Sequence, residues 1–195
     1  MASDVLAYYQ GLASNGLPEA MCWTVVEPLR GAFTVEEIAS RLGGDPEDLE
    51  VLELWEAYDI GPKGWVLHLD QVDSGVTIFE NNGFQGARQE VLRVLSVDAK
   101  VHSAWWNVNM ETRFSFATQG ELVVAVEAGW PCAGSRPGAL DAELADLYGA
   151  MRTPGHTPAG MLAAVERRTG VRLDREWFDR PHEAIVIFPG PGPIS

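Results

Sequence analysis

The stretch KVHSAWWNVNMETRFSFATQGELVVAVEA, Lys100 to Ala128, decides the fold of this chain. Val101, Ser103, Trp105 and Asn107 alternate with their neighbours, Phe114 and Phe116 do the same, and Leu122, Val124 and Val126 follow. A period of two predicts half-buried antiparallel strands. Turns are expected near Asn109-Met110-Glu111 and Gln119-Gly120. No catalytic signature lies in or around this run.

Working outward, Ser3 and Asp4 are placed to cap a first helix through about Ala13, and Met21 to Val26 reads as a short strand closed by Pro28. Thr34 and Glu37 form a capping-box pattern ahead of Val35, Ile38, Ala39 and Leu42. Asp45-Pro46-Glu47-Asp48 predicts the start of another helix with Val51, Leu54, Trp55 and Tyr58 as its apolar face. Two strands, Trp65 to Asp70 and Val76 to Glu80, are joined through Asp73-Ser74-Gly75 as a hairpin. A helix from about Phe84 to Leu95 follows. After the decisive strands, Pro131 to Gly138 reads as loop, Leu140 to Met151 and Thr157 to Gly170 as helices, and Glu183 to Phe188 as a last strand. This order predicts a single α+β domain over residues 1–188, mainly an antiparallel sheet flanked by helices, with a Pro/Gly tail at 189–195.

The chain has 195 residues, 46% of them hydrophobic, which is enough to bury one real core. Fourteen Lys and Arg stand against 28 Asp and Glu, a net charge of −14. A field of that sign repels phosphate backbones and anionic bilayers and steers a basic protein partner inward. Nucleic acid and membrane are therefore not expected as partners. Met1 to Tyr9 carries no secretory pattern, and no apolar run approaches the roughly 20 residues of a membrane span. Cys22 and Cys132 fit no disulfide or metal spacing, so buried, reduced thiols in a cytoplasmic protein are expected.

Chemistry-bearing groups are sparse. His68 and Asp70 share a strand face, and His102 lies in a later strand that would neighbour them in a suitable order. Two imidazoles and a carboxylate suit a divalent ion, but no H-x-x-x-H or H-E-x-x-H spacing is present, and neither metal nor cofactor is expected. His156 and His182, beside turn residues, are expected at the surface. The acids Glu27, Asp70, Glu80 and Glu127 close or follow strands, where a shared cleft would allow acid–base work. Asn82-Gly83-Phe84-Gln85-Gly86-Ala87-Arg88 sits where a phosphate loop would, with only two glycines and no Lys-Ser/Thr. Residues 34–80 read as a winged helix, yet its recognition helix would present Glu47, Asp48, Glu50, Glu53, Glu56 and Asp59 to DNA. Trp105 and Trp106 with Asn107 and Asn109 are the candidate binding surface, because indoles and amides join apolar area to directed donors.

Several blocks, in order, resemble an uncharacterised family of small proteins widespread in actinobacteria and classed as a domain of unknown function. They are Trp23-Thr24-Val25-Val26 with the Thr34–Leu42 helix; Gly64-Trp65 with Phe79-Glu80-Asn81-Asn82-Gly83-Phe84-Gln85-Gly86; Leu95-Ser96; Asn107-Val108-Asn109 with Arg113-Phe114; Gly120-Glu121-Leu122; and Thr169-Gly170-Val171-Arg172-Leu173. The resemblance implies one α+β domain and no reaction, ligand or catalytic residue.

The expectation is a non-enzymatic protein-binding module, immunity- or adaptor-like, that engages a basic partner. Two alternatives stand beside it. One is a small enzyme or ligand binder using His68, Asp70, Glu80, Asn82 and His102 at the strand ends; the other is a winged-helix regulator.

Overall fold

The structure is a computed structural model that describes residues 2–60 and 64–188; the expected 189–195 tail lies outside them. One antiparallel sheet of nine strands runs through it in the order β2-β9-β3-β4-β1-β5-β6-β7-β8. The strands are β1 (Met21–Pro28), β2 (Glu50–Leu52), β3 (Trp65–Val72), β4 (Gly75–Asn81), β5 (Ala99–Trp106), β6 (Thr112–Thr118), β7 (Glu121–Glu127), β8 (Trp130–Ala133) and β9 (His182–Ile187). The helices are α1 (Ala2–Ser14), α2 (Val35–Arg41), α3 (Glu56–Ile60), α4 (Gln89–Leu95), α5 (Asp141–Met151) and α6 (Thr157–Thr169). The α+β architecture expected from the element order is present.

The strands are not half-buried. Both faces of the sheet are covered, so alternation sorts residues between two apolar layers rather than between core and water. Met21, Trp23 and Val25 of β1 point with Phe79, Ala104, Phe114 and Val124 toward α1, α5 and α6. Val26 points with Leu67, Ile78, Val101 and Ala117 toward α2 and α4. A register shift between Phe116 and Ala117 puts Leu122 opposite Ala117 and Val124 opposite Phe116, on different faces. Each fully buried large side chain contributes about 1.5–3 kcal/mol.

Helix ends follow local chemistry. Thr34 accepts the Glu37 backbone N–H at 3.3 Å while the Glu37 carboxylate accepts from the Thr34 N–H at 3.2 Å, the reciprocal cap read from the sequence. Gly170, at φ +73°, closes α6 in the left-handed region.

Three expected elements differ. Asp45 does cap a turn, accepting the Glu47 N–H at 3.1 Å, but only one 3-10 turn, Pro46–Asp48, results. Glu50–Leu52 then leaves as a strand paired with β9, and helix resumes only at Glu56. Tertiary pairing overrides helix propensity here. The winged-helix reading of 34–80 loses its recognition helix, and its expected wing, β3 and β4, lies inside the sheet. The helix expected from Phe84 begins at Gln89, after a 3-10 turn at Gln85–Ala87. Part of the expected 131–138 loop is strand β8. Among the described residues, no helix is long and apolar enough to cross a membrane.

Candidate functional site

The β5–β6 hairpin tip is tied together by the Asn107 side chain. Asn107 Oδ1 accepts the N–H groups of Asn109 and Glu111, each at 3.0 Å, and its Nδ2 donates to Glu111 Oε2 at 2.6 Å. Met110 takes φ +64°, and its N–H reaches the Asn107 carbonyl at 3.0 Å. The turn is closed by side-chain as well as backbone hydrogen bonds. It leaves Val108 and Met110 64% and 66% exposed. Hydrogen bonding explains the Asn; nothing in turn chemistry requires the two apolar residues.

A shallow cavity flanks the tip on each side. One, about 430 Å³, is lined by Trp105, Met110, Glu111, Thr112, Arg113, Glu127 and Ala128. The other, about 330 Å³, is lined by Pro18, Glu19, Ala20, Asn81, Asn82 and Val108. Arg113 donates to Glu127 through Nε at 3.0 Å and also through Nη2, so the guanidinium is matched by that acid, leaving Glu19 and Glu111 to set the local sign.

The predicted surface residues divide. Trp105 is half-buried and lines the first cavity. Trp106 is a correction: it is buried, and its indole N–H donates to the Pro18 carbonyl at 3.0 Å. Its Cα alternation puts it under α1 with the core, on the opposite face from Trp105. Asn107 is consumed by the turn, and Asn109 is exposed.

The predicted ligand residues do not converge. His68 and Asp70 share a face with His102, yet β4 and β1 stand between β3 and β5, a separation of about 14 Å. Glu80 lies on the other face, buried, opposite Cys22, which itself stands opposite Trp105. Its carboxylate accepts the N–H groups of Gln85 and Gly86, both at 2.7 Å. The amides that a phosphate loop would offer to a ligand are filled by the chain's own acid. Asn82, at φ +55°, is a turn residue whose N–H bonds Ala20 O at 3.0 Å. Burial pushes Glu80 up to about 7, against the lowering effect of those amides. Around it, Thr24 donates to Ser103 at 3.0 Å and Cys22 Sγ lies 3.3 Å from Ser103 Oγ. Burial also raises the Cys22 thiol, consistent with a structural role. Cys132, expected buried, is exposed.

His182, expected at the surface, is buried against Trp177 with ring centroids 3.7 Å apart. Its Nε2–H donates to the Trp177 carbonyl at 2.8 Å, and Nδ1 lies 3.7 Å from Asp70. Asp70 in turn accepts from Arg180 and, at 3.2 Å, from the Trp177 indole. His68 is fully buried beside His182, and neither of its ring nitrogens meets hydrogen-bond geometry among the described residues. Burial lowers it to about 4, offset in part by the Glu53 backbone. His102 accepts from Arg168 Nε at 2.7 Å and stacks on Phe116; burial, then the Arg168 charge, lowers it to about 3. Among the described residues, no group of three His, Cys, Asp or Glu is placed to hold a metal ion.

Among the described residues, the nine-stranded open sheet with helices on both faces makes this an α+β protein. The chain belongs to a family of unknown function, DUF6461, whose profile matches residues 15–186. No curated protein and no solved structure matches it.

Proposed function

We propose that the protein is a non-enzymatic binding module, immunity- or adaptor-like, that engages a basic protein partner through the β5–β6 tip. The observation that carries this is a hydrogen-bonded turn holding Val108 and Met110 out in water. Exposed apolar residues on a pre-ordered backbone bind at low entropic cost. Glu19 and Glu111 beside them, and the net charge of −14, favour a basic counterpart. The test is affinity capture across a salt series with wild type and with Val108→Ser/Met110→Ser. Support requires a captured basic partner that is lost in the double variant and released as salt rises. Capture indifferent to both changes rejects the reading.

A ligand-binding reading has one observation behind it. A cavity of about 410 Å³ lies beside Asp70, Thr77, Arg172, Asp174, Trp177 and Arg180. Native mass spectrometry that finds a retained small molecule, displaced in Arg180→Ala, would favour it.

A further inference from the structure

We infer that strand β2 is a docking edge for an extended, Lys- or Arg-bearing segment of a partner protein, which adds to the sheet as a tenth strand. This rests on the basic-partner reading but uses a surface distinct from the β5–β6 tip.

Among the described residues, the two ends of the sheet are β2 and β8. Strand β8 carries Pro131 inside it, and its pairing with β7 is irregular at Ala125/Val126. Proline and bulges are devices that block further pairing. Strand β2 has neither: Glu50, Val51 and Leu52 pair with Ala184, Glu183 and His182 in unbroken register. Its other backbone edge has no strand partner among the described residues. Glu50 and Val51 are both exposed, and Val51 and Trp55 expose 65% and 61% of their surfaces.

Charge selects the occupant. Residues 42–60 hold seven acids, Asp45, Glu47, Asp48, Glu50, Glu53, Glu56 and Asp59, and no Lys or Arg. A second copy pairing edge to edge would bring two of these acidic segments together, a like-charge approach that disfavours self-association. A basic strand meets the same acids attractively, while main-chain hydrogen bonds supply affinity and Val51 and Trp55 offer apolar contact. The short edge makes this a brief ladder, strengthened at low ionic strength.

The test is a titration of the full-length, isotopically labelled protein with an alternating Lys–Thr octapeptide, at low salt and at about 0.15 M. The amides of Glu50 to Leu52 are expected to shift and to exchange more slowly. Binding should weaken about tenfold in Glu47→Gln/Asp48→Asn/Glu50→Gln, whose three side chains are exposed. A peptide N-methylated at alternate residues should not bind. Four results overturn the assignment: no binding at low salt, equal binding of a Glu–Thr peptide, unchanged amides at 50–52, or protection there that grows with protein concentration alone and so reports a second copy. Shifts confined to Val108–Glu111 would remove β2 while leaving the basic-partner reading intact. Failure of that reading is reported separately, by the Val108→Ser/Met110→Ser capture experiment.

Discussion

The carboxyl group of Glu80 accepts the backbone N–H of Gly86 at 2.7 Å, so the turn before α4 closes over an internal acid. Gly86 is required there: a Cβ would lie 2.9 Å from Cys22 Sγ and closer still to Thr24 Oγ1. Both obstacles are on a packed strand, which has no room to yield. Gly86→Ala is expected to cost about 1–3 kcal/mol, measured by urea unfolding. An unchanged midpoint would mean that the turn relaxes freely.

Glu80→Gln exchanges one acceptor oxygen for an amide that points hydrogens at an N–H. A loss of about 1–3 kcal/mol is expected at neutral pH. The pH dependence is a second readout. The folded acid is raised from 4.5 to about 7, so its stabilising share is present below 4.5 and lost as pH rises through 7. That slope should vanish in the variant; its persistence would assign it to another group.

His68 has the opposite sign. Its folded value is lowered from 6.5 to about 4, so stability is present above 6.5 and lost as pH falls through 4. Because neither ring nitrogen meets hydrogen-bond geometry among the described residues, and the Glu53 backbone offsets burial only in part, His68→Leu should leave stability at pH 8 within about 1 kcal/mol of wild type. Acid unfolding between about pH 6.5 and 4 should become shallower. Strong destabilisation at pH 8 would show that the imidazole makes a bond in solution.

Val108→Ser/Met110→Ser changes only exposed apolar groups. Thermal unfolding should move by no more than about 0.5 kcal/mol equivalent. A large drop would make the tip a structural element and withdraw it as a binding surface.

Asn107→Ala removes the acceptor for two backbone N–H groups and the donor to Glu111. Loss of about 1 kcal/mol is expected, together with faster exchange of the Asn109 and Glu111 amides. Unaltered exchange would mean that the backbone alone holds the turn.

Local chemistry alone settled much of this molecule. The period of two between Lys100 and Ala128 named three strands, Thr34 with Glu37 named a cap, and Gly170 named a helix end, because each depends on residues a few positions apart. The charge of −14 likewise needs no coordinates. Strand order and facing required the whole chain. Only pairing of β2 with β9, residues more than a hundred positions away, turned an acidic helix-like stretch into a sheet edge. Only the folded chain put Trp106 into the core beneath the helices and set His182 against Trp177 and beside His68, while leaving Val108 and Met110 in water. Alternation tells that two neighbours point apart; which side meets a helix and which meets solvent is a non-local property of packing.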